Sequence, residues 1–158
     1  MIRLYKKSDL KKVFDIYYNP GVHPFMFFTK LPISKFEKEW DNALKQKPIF
    51  ILEDQNEIKG FIGLQFGEGM QSHIAFIRTF AVKPNEQGKG YGRKLIEFIM
   101  KKAETDGAEK LQIEVEADNE RAIPFYKKLG FEEEGRMKNY TKRKTGYVDD
   151  LIMGKMIK

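Results

Sequence analysis

A glycine-rich turn between a β-rich run and an amphipathic helix constrains this sequence more than any other feature. Residues 87–92 read Gln-Gly-Lys-Gly-Tyr-Gly, and a β-rich run at 73–82 precedes them. The residues that follow place apolar side chains on one face of a helix, namely Leu95, Ile96, Ile99, Met100 and Ala103. Glycine has no Cβ, and the first N–H groups of a helix are unpaired, so such a turn can hold an anion. The segment therefore predicts a phosphate or pyrophosphate site at the start of a helix.

Two common phosphate-binding motifs do not fit this turn. A P-loop requires a Lys-Ser or Lys-Thr pair after its glycines, and none follows here. A dinucleotide-binding fingerprint requires glycine or alanine where this chain has Arg93. Taken alone, the turn is also compatible with a glycine-rich connection that binds nothing.

The other patterns predict a mixed α/β fold in a single domain, residues 1–158, because that length suits one domain. We expect a largely antiparallel sheet from the β-rich runs 2–5, 49–52, 58–66, 73–82, 110–115, 131–138 and 147–157. The runs 73–82 and 110–115 are expected to be parallel, since a helix connects them.

Four helices are expected to flank the sheet. Ser8 is predicted to cap the first helix, and Ser34 with Glu37 forms a capping-box pattern for the second. The third helix follows the glycine turn, and the fourth ends at Gly130, a residue type favoured just after a helix. The predicted order is β-α-α-β-β-β-α-β-α-β-β.

Composition excludes several classes of function. The chain has no cysteine and two histidines, which excludes disulfides and thiolate nucleophiles and predicts no metal site. The net charge of +6 is spread along the chain, which favours a polyanionic small-molecule partner over nucleic acid. No apolar run approaches the roughly 18 residues of a membrane span, so no membrane partner and a cytoplasmic location are expected.

The sequence resembles the GNAT superfamily of acetyltransferases over residues 73–157. The superfamily's cofactor signature Q/R-x-x-G-x-G/A is met by Gln87, Gly90 and Gly92. A second conserved region is matched by Leu111–Val115, Asn119–Ala122, Phe125-Tyr126 and Leu129–Phe131, and the final strand by Tyr147–Met153. The resemblance implies acetyl-CoA as the cosubstrate.

The resemblance also implies which residues bind that cosubstrate. The backbone of a strand segment is expected to pair with the pantetheine arm, backbone N–H groups of the turn to hold the pyrophosphate, and one asparagine side chain to bond the pantetheine. The strand segment is Phe80, Ala81 and Val82. The turn residues are Gln87, Gly88, Lys89, Gly90, Tyr91, Gly92 and Arg93. The asparagine is Asn119.

Tyr126 is the predicted catalytic residue. By the resemblance, it donates a proton to the departing coenzyme A thiolate after an amine attacks the thioester directly. A phenol with a pKa of about 10 is protonated at neutral pH and can donate to a thiolate whose conjugate acid has a pKa of about 8.5. Core packing is the alternative role, since Tyr126 lies on the apolar face of the fourth helix.

The group that deprotonates the amine is left open between a water chain and four candidate residues, His73, Glu114, Glu116 and Asp150. The position at which histone-modifying members carry a glutamate is Phe76, which argues against a histone acceptor that uses that base. The segment Phe25–Phe28 either forms an acceptor-side wall or packs as a hydrophobic cluster under a loop.

The predicted function is transfer of the acetyl group of acetyl-CoA to a primary amine of a small molecule, such as an amino acid or polyamine. The amine is expected to attack in a ternary complex, without a covalent enzyme intermediate. Acetylation of a protein N-terminus and a non-catalytic acetyl-CoA-binding regulator are the alternatives. A homodimer is left open as the assembly.

Overall fold

The chain forms one mixed sheet in a computed structural model that describes residues 1–158. The strands are β1 (Ile2–Leu4), β2 (Ile49–Asp54), β3 (Glu57–Phe66), β4 (Ile74–Val82), β5 (Lys110–Glu116), β6 (Glu132–Arg143) and β7 (Gly146–Met156). They lie in the order β1-β2-β3-β4-β5-β7-β6. Each adjacent pair is antiparallel except β4 and β5, which are parallel. The predicted fold class, a largely antiparallel mixed sheet with four helices, is confirmed.

The helices cover both faces of the sheet and create two hydrophobic clusters. Helices α1 (Leu10–Tyr17) and α2 (Ile33–Gln46) bury one cluster, in which Trp40 stacks on Phe36 with ring centroids 5.2 Å apart. Helices α3 (Tyr91–Thr105) and α4 (Ala122–Lys128) bury the other cluster on the opposite face. None of the helices is long and apolar enough to cross a membrane.

The predicted helix starts were wrong in detail. Ser8 lies in a 3-10 turn and caps nothing, while the Asp9 carboxylate accepts a hydrogen bond from the Lys6 N–H at 2.8 Å. The second helix begins at Ile33, one residue before the expected cap Ser34, because the Pro32 carbonyl accepts the first helical bonds. Glu37 therefore does not complete a capping box, and its carboxylate instead pairs with Lys7 at 3.1 Å.

The divergence of β4 from β5 is the feature that positions the functional site. The two strands pair over three positions only, from Ile74 with Lys110 to Phe76 with Gln112. Their outer edges remain paired, β4 with β3 up to Val82 and β5 with β7 up to Glu116. Beyond Phe76 the facing edges have no partner, so the sheet opens at its centre.

The hairpin of β6 and β7 is longer than the sequence patterns indicated. Strand β6 continues to Arg143, where a run ending at 138 was expected, and a two-residue turn at 144–145 leads directly into Gly146. A bulge at Asn139, which has a φ of 53°, shifts the register within β6. Tyr140, Thr141 and Lys142 of this extension line the opening between β4 and β5.

Candidate functional site

A cleft of about 1810 Å³ lies where β4 and β5 diverge. The glycine turn and α4 line it from one face of the sheet. Helix α2, residues 25–28 and the β6–β7 hairpin line it from the other face. The cleft can therefore receive one ligand from each face, and the two ligands meet between the strands.

A β-bulge in β4 shapes one wall of the cleft. Between the pairs Phe61–Ala81 and Gly63–Arg78, β4 has one residue more than β3. Thr79 in this bulge has a φ of 56°, a conformation that β-branched residues rarely adopt. The predicted backbone segment Phe80–Val82 begins within the bulge and lines the cleft, so its unpaired edge is available to an extended ligand.

The glycines of the turn meet two different requirements. Gly88 and Gly90 have φ values of 81° and 86°, and Gly90 is the residue from which α3 starts. A Cβ on Gly92 would lie 3.3 Å from Cζ of Phe125, so this glycine allows α3 to approach α4. The three glycines and Arg93 line the cleft, where the unpaired N–H groups of the first helical turn can receive an anion.

Two side chains of the turn do not line the cleft. The Lys89 ammonium lies 2.8 Å from the Glu86 carboxylate, and the Tyr91 hydroxyl donates to the Asp54 carboxylate at 2.6 Å. The predicted role of Lys89 and Tyr91 in cofactor binding is through their backbone N–H groups, and it stays a prediction. The charge of Lys89 is balanced by Glu86 instead of facing the cleft.

A buried ion pair connects β3 to the residue just before the glycine turn. Lys59 on β3 is 5% exposed, and its Nζ lies 3.0 Å from Oε1 of Glu86, the residue just before Gln87. The hydrogen bonds from Lys89 and Lys59 lower the pKa of Glu86 to about 2. Glu86 is therefore ionised at neutral pH and joins the glycine turn to the centre of the sheet.

Polar side chains link the turn to α4. The Gln87 amide donates to the Val82 carbonyl at 3.0 Å, and its oxygen accepts a hydrogen bond from Arg121. Arg93 lies 3.3 Å from Glu97, one helical turn later, and is exposed on the cleft side. Arg93 and Arg121 are thus cationic groups that line the cleft beside the turn.

Asn119 and Tyr126 are positioned by the two ends of α4. The Asn119 Oδ1 accepts a hydrogen bond from the Ala122 N–H at 3.0 Å, which leaves the Nδ2 group directed to no partner in the chain. At the other end, Phe131 N–H donates to the Tyr126 carbonyl and Gly130 N–H to the Lys127 carbonyl, with Gly130 at a φ of 84°. This Schellman arrangement ends α4 at Lys128, two residues after Tyr126, as predicted from Gly130.

The Tyr126 side chain is buried among aromatic rings. It is 3% exposed, and the ring centroids of Phe125 and Phe131 lie 5.3 Å and 5.6 Å from its own. Its hydroxyl forms no hydrogen bond within the chain and borders the cleft. Burial raises the pKa of Tyr126 above its usual value, so the phenol is protonated at neutral pH.

The candidate bases are separated by the fold. His73 is exposed and lies outside the cleft, at the end where β4 and β5 are still paired. Glu114, Glu116 and Asp150 all line the cleft. Three of the four candidates therefore remain available to an acceptor amine.

Residues 25–28 combine the two predicted roles. Met26 and Phe28 pack against the cluster under α1 and α2, where Phe28 stacks on Tyr17 at 5.8 Å. Phe25 and Phe27 are exposed at 41% and 92%, and all four residues line the cleft. The segment is thus a wall of the cleft that is held in place by its own packing.

Comparison with known proteins identifies the family. The model of the acetyltransferase (GNAT) family matches residues 11–131. The chain belongs to this family. The predicted recognition is confirmed, and with it membership of a family of acyltransferases that use acetyl-CoA.

Two relatives and one solved structure illustrate the similarity of this GNAT chain to known proteins. It is 39% identical to the [ribosomal protein bS18]-alanine N-acetyltransferase of Salmonella typhimurium over 79 residues, 50% of this chain and 53% of that protein. It is 25% identical to an L-amino acid N-acyltransferase of Escherichia coli over 137 residues, 82% of this chain and 78% of that protein. A Salmonella typhimurium protein solved with acetyl-CoA superposes with a TM-score of 0.81 at 20% identity, covering 100% of this chain and 94% of that one. The chain's match spans about half the length of the first of these relatives.

Sequence reasoning missed the part of the GNAT cleft that comes from β6. Thr141 and Arg143 line or border it together with Arg78 of β4, and their side chains contact the candidate bases. The basic residues around Lys142 were interpreted as a turn between two strands. The sequence pattern of β6 did not indicate that the strand extends beyond residue 138. Only the pairing of β6 with β7 brings these residues to the cleft.

Proposed function

We propose that this chain, as a single domain of residues 1–158, transfers the acetyl group of acetyl-CoA to a primary amine by direct attack in a ternary complex. One observation carries the proposal. From one face of the sheet, the cleft between β4 and β5 offers the unpaired backbone edge of β4 and the glycine-capped start of α3. From the other face it offers carboxylates, and Tyr126 also lines it. The first set suits a pantetheine pyrophosphate, and the second suits a cationic amine.

The cofactor half fits acetyl-CoA by its shape and by its donors. The edge of Phe80–Val82 offers backbone groups to the pantetheine arm, and the N–H groups of residues 88–93 offer donors to the pyrophosphate. The Nδ2 group of Asn119 offers a further donor. When bound, acetyl-CoA supplies a thioester, an acyl donor that an amine can attack without a metal or an enzyme nucleophile.

Tyr126 is proposed as the general acid for the leaving thiolate. Burial raises the pKa of its hydroxyl, so the phenol is protonated at neutral pH, and because the hydroxyl has no partner in the chain its hydrogen is free to bond to the leaving thiolate. A general acid in this position contributes typically 10²–10⁴-fold to the rate. The aromatic packing of Phe125 and Phe131 fixes the direction of the phenol.

A small amine is our first candidate acceptor, in keeping with the sequence patterns, and a protein N-terminal amine is the second. The relative that acts on amino acids matches most of the chain and supports the first. The rings of Phe25 and Phe27 are exposed on the acceptor side of the cleft, where they could contact a peptide, and this supports the second. The relative that acts on ribosomal protein bS18 supports it as well. A non-catalytic regulator would not need Tyr126 at the cleft.

The test is thiol release from acetyl-CoA by the full chain with a panel of free amino acids, polyamines and short peptides with free N-termini. We expect acetylation of at least one class of primary amine, identified by mass spectrometry of the product. Binding of acetyl-CoA without acetyl transfer to any member of the panel would contradict the enzymatic assignment and favour the regulator.

A further inference from the structure

The carboxylates on the acceptor side of the cleft differ in their ionic partners. Glu114 lies 3.3 Å from the Arg78 guanidinium. Arg143 pairs with both Glu116 and Asp118, at 2.6 Å for the Asp118 contact. These three carboxylates thus have arginine partners in the chain, with Arg143 shared between two of them, which reduces their attraction for an incoming cation.

Asp150 is the buried carboxylate of the cleft that has no such partner, whereas Glu39 and Glu120 line the cleft without a salt bridge but are exposed. Asp150 is 7% exposed, it lines the cleft, and no lysine or arginine lies within salt-bridge distance of it. One carboxylate oxygen accepts a hydrogen bond from the Thr141 hydroxyl at 2.9 Å, and the other accepts none from the chain. Burying a carboxylate without a cation costs free energy, and a cationic ligand that binds beside the carboxylate would offset that cost.

The sheet register directs Asp150 toward the acceptor side. Its neighbours Leu151 and Met153 belong to the cluster under α3 and α4, and side chains alternate along a strand, so Asp150 faces the opposite side. There it lies opposite Glu116 on β5. This is the side that α2 and residues 25–28 border.

We infer that Asp150 binds the ammonium group of the acceptor amine and accepts its proton before the attack. This inference rests on the proposed acetyl transfer. Thr141 serves as a neutral support that holds the carboxylate without cancelling its charge, whereas a lysine or arginine in its place would compete with the substrate.

The charges around Asp150 agree with this role. Burial raises the pKa of Asp150, the nearby carboxylates of Glu114 and Asp118 act in the same direction, and Thr141 and Arg143 oppose them. A raised pKa brings a carboxylate closer to the ideal for a general base. The arriving ammonium restores charge balance in the buried site.

The proposed step balances in protons. The acceptor R–NH3⁺ gives one proton to the Asp150 carboxylate and becomes R–NH2, whose nitrogen forms a bond to the thioester carbon. The C–S bond breaks, the thiolate leaves as a thiol with the proton from Tyr126, and the second N–H proton lost by the new amide restores the phenol. Asp150 releases its proton to solvent, so the net products are an amide, a thiol and one proton.

The test compares Asp150→Asn with the wild type on two acceptors, an alkyl amine that is charged at neutral pH and an aromatic amine that is not. We expect kcat/KM for the alkyl amine to fall by about 10²–10⁴-fold, with a smaller loss for the aromatic amine, which needs no deprotonation before attack. The dissociation constant for acetyl-CoA should be unchanged. Asp149→Asn is the matched control, because it removes the same charge one residue away at a carboxylate outside the cleft, bound to Arg136 and the Asn139 N–H.

Several outcomes would overturn the inference without touching the proposed function. An active wild type with an equally active Asp150→Asn variant removes Asp150 from the reaction, and an equal loss on both acceptors reduces it to a structural residue. If Asp150→Asn does not fold, Asp150→Glu, which moves the carboxylate by one methylene, is compared on the same two amines. A wild type that acetylates no amine would instead refute the proposed function itself.

Discussion

Replacement of Tyr126 with phenylalanine tests the proposed chemistry most directly. The change removes one oxygen and keeps the ring in its contacts with Phe80, Phe125 and Phe131. Because the hydroxyl forms no hydrogen bond within the chain, its removal leaves no buried partner unsatisfied. We therefore expect the free energy of unfolding to change by less than about 1 kcal/mol.

The expected effect on the reaction is much larger. A general acid contributes typically 10²–10⁴-fold, which corresponds to about 2.7–5.4 kcal/mol at 1.36 kcal/mol for each factor of ten. If the phenol gives its proton to the thiolate in the transition state, turnover should fall by that factor, and the affinity for acetyl-CoA should stay the same. The separation between a small change in stability and a large change in rate distinguishes catalysis from packing.

The assay is steady-state thiol release with the best amine from the panel, with acetyl-CoA binding and thermal unfolding measured on the same preparations. A single-turnover experiment on the wild type establishes whether chemistry limits the rate. If chemistry is rate-limiting and Tyr126→Phe turns over like the wild type, Tyr126 is a core aromatic and the thiolate takes its proton from water.

Three further predictions concern the cofactor half of the cleft. Acetyl-CoA should raise the melting temperature in a thermal-shift assay, since a ligand that binds only the folded state stabilises it by about 2.7 kcal/mol at one hundred times its dissociation constant; no shift at millimolar concentration contradicts the site. Gly90→Val should weaken acetyl-CoA binding in a titration, because a β-branched residue is strained at a φ of 86°, although a Cβ there meets no atom of the chain. Normal binding by this variant would mean that the turn does not hold the pyrophosphate. Glu86→Gln should raise the KM for acetyl-CoA with little change in kcat, because it weakens the ion pair between Lys59 and the residue just before the turn. The control Asp15→Asn, at an exposed pair with Lys11, should leave both constants unchanged. Equal behaviour of the two variants would assign no positioning role to Glu86.

Local patterns in the sequence determined the elements that carry the site. The apolar spacing after Gly92 predicted α3, and Gly130 predicted the end of α4, because helix periodicity and the demand for a positive φ act over a few residues. The place of Tyr126 on a helix that faces the core followed from the same spacing. The resemblance to a family then supplied the roles of these residues, which remain predictions.

Tertiary structure alone decided how the side chains are paired. The direction of Lys89 depends on Glu86 and the buried Lys59, a partner 27 residues from Glu86 in the chain. The pairing of Asp118 depends on Arg143, 25 residues away, and Asp150 is left as the buried carboxylate of the cleft without a salt bridge. Such pairings cannot be read from a sequence, because the divergence of β4 from β5 and the length of β6 determine which charges meet. The sequence by itself determined the helices α3 and α4 beside the cleft, because their signals are local, whereas the pairing of the strands determined which charged side chains meet inside it.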